Sequence, residues 1–222
     1  MARLARVVIP GLPHHVTQRG NGREQTFFSD RDYSSYLRVL RSATAASSVT
    51  CLAYCLMPNH VHLILVPCTR DGLRECLART HRAYAGMVNT RRNRCGHFWQ
   101  GRFGSVVMDD AHAYQALRYV LLNPVRAGLV DEAIAWRWSS AQAYLAHRPD
   151  GVTSAGRFLA EIPDMRAYLR EVPHPDRVAR IRAGETCGWP AAELEVLRQF
   201  ETLTGRRLAP HRRGPLPLAL RS

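Results

Sequence analysis

Two apolar, β-prone runs, residues 50–56 and 61–66, flank the segment Met57-Pro58-Asn59-His60, and this pair constrains the fold more than any other feature of the chain. Proline cannot donate to a sheet ladder, so Pro58-Asn59 reads as a turn joining two strands. A strand repeats every two residues, which puts His60 and His62 on one face near the mouth of the second strand. Two neutral imidazoles on one face are half of a divalent metal site. An isolated His-x-His pair equally describes an edge histidine beside a hydrogen-bonded core histidine, so the chemistry depends on what faces them.

A second informative segment is Arg118-Tyr119-Val120-Leu121-Leu122-Asn123-Pro124-Val125-Arg126-Ala127-Gly128. It follows a run from Asp110 with apolar and aromatic residues at three- and four-residue spacing, the helical pattern. On a helix Tyr119 and Asn123 are i and i+4, so a phenol and an amide share a face and can complete a His-His-Asn set with a nucleophile. Pro124 biases the residue before it out of the helical region, so the helix can end or kink at Asn123.

Charge narrows the partner. The 222 residues carry 31 Lys+Arg against 18 Asp+Glu, a formal net charge of +13, which is the footprint of a polyanion binder. The excess is arginine-dominated, and guanidinium groups grip phosphate bidentately and stack on bases. A hydrophobic fraction of 46% with 8% aromatic residues fits an ordinary globular core. The early run Val7-Val8-Ile9 meets Pro10-Gly11 too soon for a signal-peptide core or a membrane span, so a cytoplasmic protein with no membrane partner is expected. The six cysteines show no C-x-x-C spacing. Free thiols are expected, with Cys51 and Cys55 sharing one strand face as small core residues.

Along the chain, residues 15–18 read as a strand, followed by a Gly20-Asn21-Gly22 loop. Ser29-Asp30 caps a helix over 31–46 with Tyr33, Tyr36, Leu37 and Leu40 on one stripe. A second helix over 72–91 leads through a basic loop to a strand at 105–108. This order predicts an α+β sandwich, with helices covering one face of an antiparallel sheet and the other face free for ligand. The expected boundaries are a domain over 1–147 and an extension over 148–222. The extension reads as short helices interrupted by Pro163, Pro173, Pro175 and Pro190, including one over 191–203, before a basic Pro/Gly tail from Gly205 onward.

Four blocks together, Pro13 to Asn21, Ala53 to His62, Phe98 to Phe103 and Tyr119 to Val130, resemble the IS200-like tyrosine transposases, most closely their REP-associated branch. The resemblance spans roughly residues 1 to 145, and four blocks in order are far more specific than any one of them. It implies a ferredoxin-like or RRM-like sheet and an HUH endonuclease, in which His60 and His62 bind metal, Tyr119 is the single nucleophile and Asn123 is a third polar ligand. It further implies cleavage and rejoining of single-stranded or hairpin DNA from palindromic repeats through a 5′-phosphotyrosine, by a monomer or a homodimer.

Imidazole and amide donors suit Mg²⁺ or Mn²⁺ as the cofactor, and would accept zinc too. Arg19, Asn21, Gln100, Arg102 and Arg126 lie in the matching blocks and suit phosphate or base-edge contacts, with Phe98 and Trp99 able to stack an unpaired base. Four of these have a structural alternative: Arg102 or Arg126 can pair with Asp109 or Asp110, and Phe98 or Trp99 can be core. Trp136-Arg137-Trp138-Ser139-Ser140 is expected to pack the last helix of the domain. Two competing readings are a catalytically inactive, sequence-specific DNA-binding relative and a metal-dependent hydrolase using Asp109 or Asp110 as its base.

Overall fold

The computed structural model describes residues 6–171 and 174–208. Four strands, β1 (His14–Arg19), β2 (Val49–Met57), β3 (His60–Pro67) and β4 (Gly104–Val107), form one antiparallel sheet in the order β2-β3-β1-β4. Helix α1 (Asp30–Ala46) joins β1 to β2, and α2 (Gly72–Arg91) joins β3 to β4. This is the β-α-β-β-α-β ferredoxin-like arrangement. The expected α+β class and the strand and helix positions of this core stand.

Helices α1 and α2 cover one face as their apolar stripes require. Tyr33, Tyr36 and Leu40 of α1 and Leu73, Leu77 and Tyr84 of α2 close over Val16, Val61, Leu63 and Leu65. Two polar devices fix the helices further. Arg91 grips the Asp32 carboxylate with both guanidinium nitrogens while Asp32 also accepts from the Phe28 amide, and Tyr36 meets His81 Nε2 at 3.1 Å.

The expectation that the second face is free for ligand is corrected, because helices pack on it. Helix α3 (Asp110–Leu121) and the short α4 (Asn123–Arg126) lie against β2 and β3, and four further helices follow: α5 (Ala141–Leu145), α6 (Gly156–Glu161), α7 (Met165–Arg170) and α8 (Pro175–Cys187). Phe158, Ile162, Met165 and Ile181 share one core with Ala53, Cys55, Ile64 and Val106 of the sheet. The expected boundary near 147 therefore falls between helices that build the same apolar layer. An amphipathic α9 (Leu194–Thr204) closes the described chain through Leu197 and Phe200.

Two local readings are corrected. Cys51 and Cys55 do not share a face: a register shift between Cys51 and Ala53 puts Cys51 on the α1/α2 side and Cys55 on the α3 side. The Trp136–Ser140 block does not pack a helix alone. Leu56 donates to the Trp138 carbonyl and Ser140 to that of Tyr54, so the segment covers the outer edge of β2, with Trp138 stacked on Tyr33. Cys51, Cys55, Cys68, Cys76 and Cys95 are free thiols, whereas the side chain of Cys187 and the tail beyond 208 lie outside the described residues.

Candidate active site

Strand register assembles the site. Thr17 pairs with His62, Arg19 with His60 and His15 with Ile64, so His15, Arg19, His60 and His62 all face the α3 side of the two central strands. At the end of the sheet that α3 and α8 leave uncovered, a cleft of about 440 Å³ is lined by Arg6, Arg19, Arg23, His60, His62, Gln100, Arg102 and Glu185. Its rim is basic, as a phosphate-binding groove must be.

His60 is half-buried at the start of β3, and its Nδ1 lies 2.6 Å from Asn59 Oδ1. Asn59 Nδ2 donates to the Arg23 carbonyl, which fixes which way the amide points. The His60 Nδ1 proton therefore goes to Asn59, and Nε2 keeps the lone pair that a metal needs. Burial pushes the His60 imidazolium down to about 4, so the ring is neutral at physiological pH. His62 is buried, with one edge reaching the cleft, and burial again holds it well below its ordinary value. Its Nδ1 lies 3.0 Å from Nε2 of His15, a residue that the sequence reading did not single out.

Tyr119 meets these rings from α3. Its ring centroid is 5.6 Å from that of His62 and 5.9 Å from that of His15, edge-on to both, and 9% of the residue is exposed. The Arg126 guanidinium lies 3.9 Å above the Tyr119 ring and donates to the Tyr119 carbonyl, and Arg182 of α8 lies 5.4 Å from the same ring. A phenol, two imidazoles and two guanidinium groups thus converge within one chain.

The helix does end before Asn123, as Pro124 had suggested: α3 stops at Leu121, Leu122 turns, and Asn123 opens α4. Asn123 Nδ2 is buried with no hydrogen-bond partner among the described residues. Arg19, Gln100 and Arg102 line the cleft. Asn21 is exposed at its edge, where its backbone amide donates to the Phe98 carbonyl. Phe98 and Trp99 pack on Tyr84 and His81 instead, and Trp99 Nε1 donates to the His81 carbonyl, so both rings brace the loop between α2 and β4.

Asp109 caps α3, accepting from the His112 backbone and ring, and Asp110 pairs with Arg157. Neither carboxylate serves Arg102 or Arg126. The carboxylate near the histidines is Glu185 of α8, with Oε1 3.6 Å from His15 Nδ1 and 4.0 Å from His62 Nδ1. Among the described residues, His15, His62 and Glu185 offer donor atoms within 4.8 Å of one another. Burial raises the Glu185 carboxyl to about 7, which the nearby Arg19, Arg182 and Arg126 only partly offset.

A family model described as IS200-like transposase matches residues 9–122, which hold all four strands, the histidines and Tyr119. The chain belongs to the IS200-like transposase family. Within it, the chain is similar to a Haemophilus influenzae protein described as a REP-associated tyrosine transposase, 27% identical over 100 residues that make up 40% of this chain and 57% of that relative. The match thus spans a little over half of the relative's length. A solved structure of a REP-associated tyrosine transposase bound to a REP hairpin shares the fold, with a TM-score of 0.57 at 18% identity over 70% of this chain and 90% of that one. No described helix is long and apolar enough to cross a membrane.

Proposed function

We propose that this transposase cleaves and rejoins hairpin or palindromic DNA through Tyr119. The observation that carries the proposal is the meeting of the Tyr119 ring with His62, 5.6 Å apart, where His62 itself lines a cleft rich in arginine. Tyr119 Oη would attack the scissile phosphorus, forming a P–O bond to tyrosine and breaking the bond to the 3′ oxygen, which leaves as a 3′-OH. The reverse attack by a 3′-OH on the 5′-phosphotyrosine reseals or transfers the strand with no external energy source. His60 and His62, with Asn123 as third donor, would hold a divalent ion, Mg²⁺ or Mn²⁺, which supplies charge neutralisation at a non-bridging phosphate oxygen when bound.

The chain's own residues perform the rest. Arg126 and Arg182, whose guanidinium groups lie over the Tyr119 ring, would offset the negative charge that develops during attack. Arg19, Gln100, Arg102 and Arg6 line the cleft as phosphate and base-edge contacts, with Asn21 at its edge, and such contacts position the strand. One chain supplies every named group, so a monomer suffices for cleavage. The DNA it would act on is chromosomal, in the cytoplasm.

The test is a denaturant-resistant adduct. Wild-type protein, Mn²⁺ and a labelled single-stranded hairpin from palindromes near its gene should give a shifted protein–DNA band, absent in Tyr119→Phe and at least about 100-fold weaker in His60→Ala. Hairpin binding by wild-type protein without any adduct, across metals and hairpins, would overturn the reading in favour of an inactive, sequence-specific DNA-binding protein.

A further inference from the structure

Helix α8 lies outside the segment that the family model matches, yet it reaches the histidines. Two glycines allow this. A Cβ on Gly184 would come within 2.6 Å of Val106 Cγ2 and 2.8 Å of the Trp189 carbonyl, and a Cβ on Gly104 would come within 3.0 Å of the Glu185 carbonyl. Bare backbone on both sides lets α8 settle against β4 and β1, and the residue after Gly184 is Glu185.

The polar atoms there are incompletely paired. His15 is fully enclosed, and among the described residues its Nδ1 has no hydrogen-bond partner, nor has the buried Oε1 of Glu185 that faces it. At 3.6 Å the two are too far apart for a hydrogen bond, but closing the gap needs a movement of less than about 1 Å. On the other side of the ring, His15 Nε2 already bonds His62 Nδ1 at 3.0 Å. A neutral imidazole carries one N–H. With a carboxylate oxygen as the acceptor beside Nδ1, the His15 proton belongs there, Nε2 accepts, and His62 Nδ1 is the donor. His62 Nε2 is then left with its lone pair, as Asn59 leaves it on His60.

We infer that Glu185 and His15 form a relay, Glu185 to His15 to His62, through which the C-terminal extension fixes the tautomer and orientation of a metal-binding histidine. The inference rests on the metal role proposed for His60 and His62. Glu185 and His15 are positioning residues in it: neither supplies a ligand to the ion. Partners one shell out from a metal change affinity without supplying a ligand. The relay makes the metal site depend on the seating of α8, so a segment outside the matched family region tunes the centre.

The test reads metal binding and proton position without DNA. In wild-type protein freed of metal, nitrogen NMR at pH 7.5 should show His62 protonated at Nδ1 and bare at Nε2. Glu185→Ala and His15→Phe should each weaken Mn²⁺ binding, followed by EPR titration, by about 10- to 100-fold, and Glu185→Gln, which keeps an acceptor oxygen, by less. His60→Ala should weaken it at least as much as Glu185→Ala. Metal-free Glu185→Ala should still unfold in a single cooperative thermal transition, which separates the effect from misfolding.

The relay is overturned if Glu185→Ala changes Mn²⁺ affinity less than about threefold, or if His62 carries its proton at Nε2. It is also overturned if His60→Ala leaves Mn²⁺ affinity intact while Glu185→Gln abolishes it, because Glu185 would then be a direct ligand. Absence of the covalent adduct in wild-type protein that binds Mn²⁺ as described would instead sink the strand-cleaving function and leave the relay standing.

Discussion

At the scale of single residues, Arg126 carries the most exposed claim. It presents a flat guanidinium to the Tyr119 ring and ties the Tyr119 backbone at 3.1 Å, a geometry that a lysine cannot reproduce. In Arg126→Lys, single-turnover cleavage should fall about tenfold while hairpin affinity stays within about threefold, because the charge is kept and the plane is lost. Equal losses in affinity and rate would make Arg126 a DNA anchor only. His60, His62 and Tyr119 stood out as candidates because strand spacing aligns the two histidines, while helical spacing and the resemblance both pointed to the tyrosine. His15 was less so. It lies in the same block as Arg19 and at even spacing from it, so its face was readable, but only the β1–β3 register shows that it meets His62.

At the scale of elements, the ferredoxin-like core was readable because its signals are local: alternation for strands, a 3.6-residue stripe starting just after Ser29 for α1, and the Pro58-Asn59 break for the β2–β3 hairpin. What escaped was long-range. A one-residue bulge in β2 leaves no mark in the sequence, yet it sends Cys51 and Cys55 to opposite faces. Nothing in the spacing of residues 148–187 says which sheet face they cover. The close seating of α8 has a clear test, because alanine normally stabilises a helix relative to glycine. Gly184→Ala should destabilise the protein by about 1–3 kcal/mol, since its methyl would collide with Val106 and the Trp189 carbonyl. Gly86→Ala, in exposed α2 with nothing within 4 Å, should stabilise it by about 0.5–1 kcal/mol. Chemical denaturation of both variants checks the pair, and two changes of the same sign would contradict the packing described for α8.

At the scale of the whole molecule, buried neutral histidines set the acid limit. Burial holds His14 down to about 4 and His81 down to about 3, and each ring uses its neutral form. His14 Nε2 accepts from the Ile9 amide while Nδ1 faces the Leu12 carbonyl, and His81 Nε2 meets the Tyr36 hydroxyl. Below the ordinary value of 6.5 the unfolded chain takes up protons that the folded rings refuse. Their stabilisation is therefore complete above pH 6.5 and declines as pH falls toward 4, by more than about 1 kcal/mol per pH unit for each ring. Glu185, raised to about 7, acts in the opposite sense between its ordinary 4.5 and 7, but it is one group against several. Asp32 and Asp109, depressed below their ordinary 3.8, withdraw stability only at still lower pH. The urea midpoint in metal-free buffer should fall steeply between pH 7 and pH 5, and a flat profile there would mean that these rings protonate in place.

The central claim is that Tyr119 attacks DNA, and the measurement that reaches it most directly is the site and polarity of the covalent link. A hairpin labelled separately at its 5′ and 3′ ends should transfer only the fragment on the 3′ side of the cut to protein, and protease digestion with mass analysis should find it on the peptide holding Tyr119. The other fragment should end in a free 3′-OH. Cleavage that leaves both DNA ends free of protein, or a link to any residue other than Tyr119, would contradict the account.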